Sequence, residues 1–276
     1  MIKGKSPYPF QTIALAISFS PGLPFLVSEM DKLCKLNSAV AVFIHIGKKT
    51  GDKQRELSEL LISHGFNDGN SRIYWEQGEV IPSLLRVCKH EVVDLIVLGA
   101  SEKNDFQKPV GKIAKDIATQ AKCTLLIYST CSSFENFKNI VVEGGDHPKT
   151  ELTIQTAIYF GDIVKAQNIS VVDSGVSSSY ADSYLEYSNK LSISETPTLS
   201  HLPDQTAVSV NRVSLKESHC ADFSDYCFKN SADLMITRSY DHRLRIFDRI
   251  SEENNIDAFL DNLPCSFMIV HSRLVD

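Results

Sequence analysis

The chain has 276 residues, of which 43% are hydrophobic, enough for two buried cores of ordinary domain size. Its net charge of -6 and pI near 5.8 argue against a dedicated nucleic-acid binder, because a surface that follows phosphates carries an excess of basic residues. No stretch reaches the roughly 18 consecutive apolar residues of a membrane span, and the first residues lack the apolar core of a secretion signal. We therefore expect a cytoplasmic protein.

Short apolar strands alternate with helical segments along the first half of the chain. The strands have no polar face, which is typical of parallel strands covered by helices on both sides. The helix around Ile113, Ile117 and Ala121 has apolar residues at four-residue spacing, as an amphipathic crossover requires. The predicted strands are 12–18, 39–46, 71–78, 94–99 and 124–128, and the predicted helices are 23–37, 56–64, 79–90 and 111–123.

The second half repeats the same order of elements. Asp94 aligns with Asp233 and Cys123 with Cys265, which indicates a duplicated unit. The short polar segment 129–137 joins the copies, and we predict domains at 1–133 and 134–276. The predicted strands are 139–143, 169–173, 206–212, 233–238 and 264–270, with helices at 150–166 and around 256–263, and an insertion at 174–203 with an amphipathic helix near 184–191.

This alternation predicts an α/β fold: two tandem doubly wound domains, each with a parallel sheet of five strands. The seven cysteines are an odd number and form no CxxC pair, which argues against a disulfide framework or a zinc ribbon. We expect Cys88, Cys123 and Cys265 to be buried as small core residues.

Three stretches resemble a known family: IALAISFS, DLIVLGASEK, and GKIAKDIATQAKCTLLI. Together with the duplication, they are similar to a tandem member of the universal stress protein family over nearly the whole chain. The resemblance implies the strand order 3-2-1-4-5 in each domain. It also implies that the two repeats form an intramolecular pseudo-dimer, packed through their final strands, whose apolar edges would otherwise be exposed.

The resemblance also implies a place for ATP or AMP. Many members hold the nucleotide with an aspartate at the end of the first strand and a G-x2-G-x9-G-[ST] motif after the fourth. Such glycines let backbone N–H groups and a helix N-terminus approach phosphate. In the first repeat Ser18 stands at the aspartate position, Gly99 at the first glycine, and Gly111-Lys112 at the final pair, with Ser101 in the loop between. These five residues are the candidate cofactor-binding residues.

The second repeat departs further from the motif. Gly144 or Gly145 replaces the aspartate, and Arg238 stands at the first glycine. We therefore expect a degenerate nucleotide site in the first domain and none in the second, where Arg238 could still attract a small anion.

Each of these residues also has a purely structural interpretation. Gly99 and Gly111 can make a turn and begin a helix, Lys112 can be solvated, and His45 can be structural. A metal site at His219, Cys220 and Cys227 is disfavoured because no second pair of soft ligands lies nearby.

No nucleophile elbow, intact P-loop, paired acids or metal set can be assembled from the sequence. We predict a non-enzymatic binding or regulatory protein of the stress response, a role that the resemblance implies, with an unknown protein partner. A nucleotide-binding protein with slow ATPase activity and a thiol redox sensor are the alternatives. A homodimer of tandem chains is left open.

Overall fold

A computed structural model describes residues 8–100, 110–129, 133–145, 149–174, 209–215, 220–239, 260 and 263–271. The predicted insertion helix near 184–191 and most of the predicted helix 256–263 lie outside these residues. The chain divides into two compact units, which separate in the sequence between residues 132 and 133. We refer to them as the first and second repeat.

The first repeat is a parallel sheet with the strand order β3-β2-β1-β4-β5. The predicted order 3-2-1-4-5 is therefore confirmed in this repeat. Each strand is followed along the chain by a helix or leads out of the repeat, as in a doubly wound α/β fold. The elements are β1 (Thr12–Ala16), α1 (Leu23–Asn37), β2 (Val40–Ile46), α2 (Gly51–Ser63), β3 (Ser71–Glu76), α3 (Val80–His90), β4 (Leu95–Gly99), α4 (Lys112–Gln120) and β5 (Thr124–Tyr128).

The second repeat has the parallel order β8-β7-β6-β9-β10, the same as the first when its strands are counted from β6. A 3-10 turn at Phe134–Asn136 precedes the sheet. That the two repeats pack through their last strands stays a prediction. The elements are β6 (Asn139–Glu143), α5 (Thr150–Val164), β7 (Asn168–Ser174), β8 (Ser209–Leu215), α6 (Cys220–Lys229), β9 (Leu234–Arg238) and β10 (Ser266–Val270).

Two of the predicted helices differ from the structure in informative ways. Helix α2 begins at Gly51 rather than residue 56, because the Thr50 hydroxyl accepts a hydrogen bond from the Lys53 N–H at 3.3 Å and caps the helix. In α4 the buried face runs through Ala114, Ile117 and Ala118. Ile113, which we expected on the buried side, is 52% exposed.

A buried carboxylate fixes the start of the central strand β1. Asp94, directly before β4, is 3% exposed, and its Oδ2 accepts hydrogen bonds from the backbone N–H groups of Gln11 at 2.7 Å and Thr12 at 3.1 Å. Hydrogen bonds to a charged acceptor are about twice as strong as neutral ones. The side chain thus joins two strands that are neighbours in the sheet and distant in the sequence.

The second repeat contains the same arrangement. Asp233 precedes β9, and its Oδ2 accepts from the N–H groups of Lys138 and Asn139, both at 2.8 Å. The alignment of Asp94 with Asp233 therefore corresponds to a shared structural role. We call these two carboxylates the strand clamps.

Strand β3 forms the edge of the first sheet, and its two faces have different partners. Arg72 and Tyr74 both donate hydrogen bonds to the carboxylate of Glu91, the residue that caps the end of α3. Burial alone would raise the pKa of Glu91, but the hydrogen bonds from Tyr74, Arg72 and His90 outweigh it and lower the pKa. Because side chains alternate along a strand, Trp75 points to the opposite face from Tyr74.

We predict that Asp94→Ala lowers the free energy of unfolding by about 2 kcal/mol, because two partly buried N–H groups, those of Gln11 and Thr12, lose their charged acceptor. Asp233→Ala should act in the same direction in the second repeat. Urea denaturation followed by circular dichroism measures both effects.

Asp68→Ala is the matched control, since Asp68 is exposed and lies in a turn. An Asp94→Ala protein with the same denaturation midpoint as Asp68→Ala would show that the strand clamp contributes nothing to stability.

Candidate functional site

The residues predicted to bind nucleotide lie at the carboxyl ends of β1 and β4. These two strands are neighbours, paired from Ile13 with Leu95 to Leu15 with Val97. The chain crosses from β1 to β2 on one side of the central strand, whereas β4 lies on its other side. This is the point of a doubly wound sheet where the strand order reverses and where ligands bind.

Ser18 lies two residues beyond β1 and is exposed. Its Oγ lies 3.2 Å from the Oγ of Ser20, so the hydroxyl contacts a neighbouring turn residue. A hydroxyl here offers one donor and carries no charge, unlike the carboxylate that the family resemblance implies at this position.

Gly99 is the last residue of β4 and pairs with Tyr128 of β5. A Cβ at this position would lie 3.3 Å from Cδ1 of Leu26 in α1, a tight contact. The absence of a side chain therefore allows Leu26 to pack against the strand end. The same absence keeps the backbone accessible, since Gly99 itself is exposed.

Gly111 and Lys112 begin helix α4. The Gly111 N–H donates to the carbonyl of Ala100 at 3.0 Å, which brings the beginning of α4 next to the end of β4. A Cβ on Gly111 would meet Ala100 O at 3.6 Å, an ordinary contact, so this position does not require glycine. The Lys112 ammonium is 87% exposed and forms an ion pair with Asp116 Oδ2 at 2.7 Å.

The structure thus brings Gly99, Gly111 and Lys112 together, with Ser18 at the end of the neighbouring strand. Ser101 lies outside the described residues, as does Glu102, which replaces the motif's second glycine. That these residues bind a nucleotide stays a prediction. The pairing of Lys112 with Asp116 agrees with the structural interpretation of that lysine.

Behind Gly99, a buried acid and a tyrosine connect α1 to β5. The Tyr128 hydroxyl lies 3.2 Å from Oε2 of Glu29, which is 1% exposed and also forms an ion pair with Lys32 at 3.3 Å. Burial raises the pKa of Tyr128 well above its ordinary value, and the Glu29 carboxyl group adds to this effect. Tyr128 therefore donates its hydrogen bond as a neutral hydroxyl. The contact between Tyr128 and Glu29 was not predicted from the sequence.

In the second repeat, an ion pair connects the equivalent strand ends. Arg238, the last residue of β9, donates from Nη1 to Oε1 of Glu143, the last residue of β6, at 2.9 Å. The two side chains are only 16% and 18% exposed. Thr237 Oγ1 also donates to Glu143. Where the first repeat has a bare glycine, the second therefore has a largely buried, hydrogen-bonded charge pair.

A second contact lies beside this ion pair. The ammonium of Lys149, at the N-terminus of α5, donates to the carbonyl and hydroxyl oxygens of Ser239 at 3.0 and 3.1 Å. That Arg238 could attract a small anion stays a prediction. The ion pair itself was not predicted, although Glu143 and Arg238 end two predicted strands at the same edge of the sheet with opposite charges.

No protein-family model matches the chain, and no curated protein matches it. Solved structures do match it. A functionally unknown protein from Pseudomonas aeruginosa PAO1 superposes with a TM-score of 0.69 at 11% identity, covering 97% of this chain and 94% of its own. A universal stress protein from Archaeoglobus fulgidus DSM 4304 has a TM-score of 0.62 at 12% identity, covering 96% of this chain and 99% of its own.

The chain has the universal stress protein fold. The match extends over both repeats, as the predicted duplication requires. This likeness establishes the architecture, and the ligand and the biological role are matters of proposal. No helix among the described residues is long and apolar enough to cross a membrane. Within the same residues, no three His, Cys, Asp or Glu side chains are grouped so that they could hold a metal ion.

The side chains of five cysteines of this universal stress protein fold are described, and burial raises the pKa of each of these five thiols. The pKa rises to about 12 for Cys34, Cys88 and Cys227, and well above its ordinary value for Cys123 and Cys265. Cys88 and Cys265 are buried, as predicted, whereas Cys123 is partly exposed as a whole residue. Its thiol is nevertheless desolvated. A redox sensor needs a thiolate, which all five environments disfavour.

We predict that these five thiols react slowly with iodoacetamide in the native protein and rapidly after unfolding. A pKa near 12 leaves roughly one thiol in ten thousand ionised at pH 8. The reaction is then slow, because only the thiolate attacks the reagent. Mass spectrometry of tryptic peptides after timed alkylation measures each site. Rapid native modification of Cys123 or Cys265 would contradict the assignment of these thiols to the core.

Proposed function

We propose that the chain is a non-enzymatic, cytoplasmic binding protein of the universal stress protein type that acts in stress adaptation. Its first repeat binds ATP or AMP weakly, and its second repeat binds no nucleotide. A protein partner, whose identity is unknown, binds the chain and responds to whether nucleotide is bound. The observation that carries the difference between the repeats is the contact between Arg238 and Glu143 at 2.9 Å.

The ion pair argues against a nucleotide in the second repeat for two reasons. The side chains of Arg238 and Glu143 occupy the strand ends that a ligand would have to approach. In addition, the carboxylate of Glu143 neutralises the guanidinium, so little positive charge is left to attract phosphate. Separating the two groups costs several kcal/mol, since each would be left as a partly buried unpaired charge.

The residues of the first repeat fit a nucleotide in part. Gly99 leaves the backbone of the strand end accessible, and Gly111 begins a nine-residue helix whose N-terminal N–H groups favour an anion. Against this, Lys112 is already paired with Asp116, and Ser18 supplies no carboxylate. A phosphate would have to compete with Asp116 for Lys112. Because two features favour a nucleotide and two disfavour it, we expect the nucleotide to bind weakly.

The two alternative functions, a slow ATPase and a thiol redox sensor, are supported by fewer observations. A slow ATPase requires a group that orients the attacking water, and the described residues around Gly99 and Gly111 supply no paired acid or metal set. A thiol sensor is disfavoured at the five described cysteines by the raised thiol pKa values. The non-enzymatic binding role needs neither group.

Titration calorimetry with ATP and with AMP tests the proposal. We expect a dissociation constant of about 1 mM, near -4 kcal/mol, with one site per chain. Gly99→Arg should abolish binding, because the new side chain fills the strand end and displaces Leu26. Lys112→Gln, a milder surface change, should weaken it, since phosphate then loses its cation.

Arg238→Gly is the matched control, because it alters the equivalent position of the second repeat and should leave the affinity unchanged. Tight binding that survives Gly99→Arg and is lost in Arg238→Gly would overturn the assignment of the site. Phosphate release from ATP, measured in parallel, should equal that of buffer alone.

A further inference from the structure

Strand β3 is the outer strand of the first sheet, and among the described residues only β2 pairs with it. The Ala41 N–H donates to the carbonyl of Asn70 at 3.0 Å, and the Gly47 N–H donates to the carbonyl of Glu76 at 2.8 Å. In a parallel ladder, successive residues direct their backbone groups to alternate sides of the strand. The even-numbered residues of β3 therefore bond to β2, and the odd-numbered residues point away from it.

The backbone groups of Ile73 and Trp75 form the open side of β3. Within the part of the chain that the structure describes, no hydrogen bond reaches them. Ile73 is also 43% exposed, so this edge is open to solvent. Such an edge is a template for a further strand, and many proteins protect it with proline, lysine or a bulge. Ser71–Glu76 contains neither proline nor lysine, and it pairs with β2 without interruption.

The two faces of β3 present side chains that are already fixed in position. Arg72, Tyr74 and Glu76 lie on one face, and Ile73 and Trp75 on the other. Arg72 and Tyr74 both donate hydrogen bonds to the carboxylate that caps the end of α3, and Glu76 accepts one from an arginine of α3 at 2.6 Å. Pairing with another strand would therefore cost little side-chain entropy on that face.

A second copy of β3 is complementary to this edge in one antiparallel register. The hydrogen-bonded pairs of an antiparallel ladder join residues that both point outwards, so Ile73 pairs with the partner's Trp75. Arg72 then lies opposite the partner's Glu76, and the two copies of Tyr74 face each other across a two-fold axis. Opposite charges, two aromatic rings, and an aromatic ring with a β-branched side chain are all stabilising cross-strand pairs. Shifting one copy by two residues removes both charge pairs.

The outer edge of the second repeat has no such complementarity. Strand β8 lies at that edge, and Arg212 is its single charged residue. No register of β8 with itself can therefore place opposite charges across from each other. The Ser209 N–H donates to the carbonyl of Gln167 at 3.1 Å, so the backbone groups of Val210 point away from the sheet. Val210 thus provides a control position on an edge strand of the same fold.

We propose that two copies of the chain associate through antiparallel pairing of their β3 strands, which joins their first repeats into one continuous sheet. The partner is a second copy because the charges and aromatic rings of β3 complement β3 itself. Both copies use the same surface about a two-fold axis, as closed dimers do. The proposal assigns a surface to the homodimer that sequence analysis left open, and it does not depend on nucleotide binding.

Sedimentation equilibrium of the full chain at roughly 10 µM to 1 mM tests the proposal. We expect a monomer–dimer equilibrium with a dissociation constant on the order of 100 µM, because one pair of strands buries less area than a standard interface. Ile73→Pro should weaken the dimer at least about tenfold, since it removes an outward N–H from each chain and leaves the bonds to β2 in place. Val210→Pro removes an outward N–H of β8 and should leave the dissociation constant unchanged.

Two charge variants test the register. Arg72→Glu places acids opposite each other, and Glu76→Arg places arginines opposite each other, so each variant alone should dimerise about tenfold more weakly. An equimolar mixture of the two variants restores opposite charges at both positions and should form heterodimers with nearly the original affinity. Circular dichroism checks the fold of each variant, because Arg72 and Glu76 also bond to α3 and its cap.

A chain that stays monomeric at about 1 mM overturns the proposal. So does a dimer that Ile73→Pro leaves intact, or that Val210→Pro weakens to the same degree. If neither charge variant weakens the dimer, or if their mixture associates no better than either alone, β3 does not pair in this register and the proposal is wrong. Where Ile73→Pro or Arg72→Glu does not fold, Ile73→Lys replaces it, since a lysine on the edge should prevent pairing and an unchanged dissociation constant would contradict the proposal.

Discussion

The fold of each repeat depends on one carboxylate that holds the start of the central strand. In a parallel sheet the first N–H groups of a strand have no partner unless a neighbouring element supplies an acceptor. Asp94 supplies it for Gln11 and Thr12, and Asp233 supplies it for Lys138 and Asn139. Because the clamp connects the first strand of a repeat to the fourth, it fixes the register on which the strand ends, and therefore any ligand site, are built.

The two repeats share this arrangement of strands and differ in the residues at the strand ends. In the first, Gly99 leaves the end of β4 bare and Leu26 packs beside it. In the second, Arg238 and Glu143 form a largely buried pair across the same edge. A duplicated unit retains its fold when its clamp and its apolar strands are kept, and its strand ends are then able to diverge, since they contribute less to the core. The asymmetry between the repeats is the structural basis of the function proposed for the chain.

Much of the fold followed from the sequence. The strands at 94–99 and 124–128 and the helix ending at Asn37 were predicted from periodicity, because buried parallel strands leave a strong local signal. The strand order was implied by the family resemblance alone. Side-chain pairing between distant elements leaves no such signal. The bonds of Tyr128 to Glu29 and of Arg238 to Glu143 link residues far apart in the chain, and neither was predicted. The exposure of Ile113 was missed for a different reason: two faces of α4 are apolar enough to be buried, and the sequence does not show which of them faces the core.

The central claim is that the second repeat is closed by its ion pair while the first is open to a nucleotide. A crystal structure of the chain grown with saturating AMP tests it most directly. The account predicts nucleotide density next to Gly99 and an intact contact between Arg238 Nη1 and Glu143 Oε1 near 2.9 Å. Nucleotide bound at the ends of β6 and β9, with Arg238 and Glu143 separated, would contradict it.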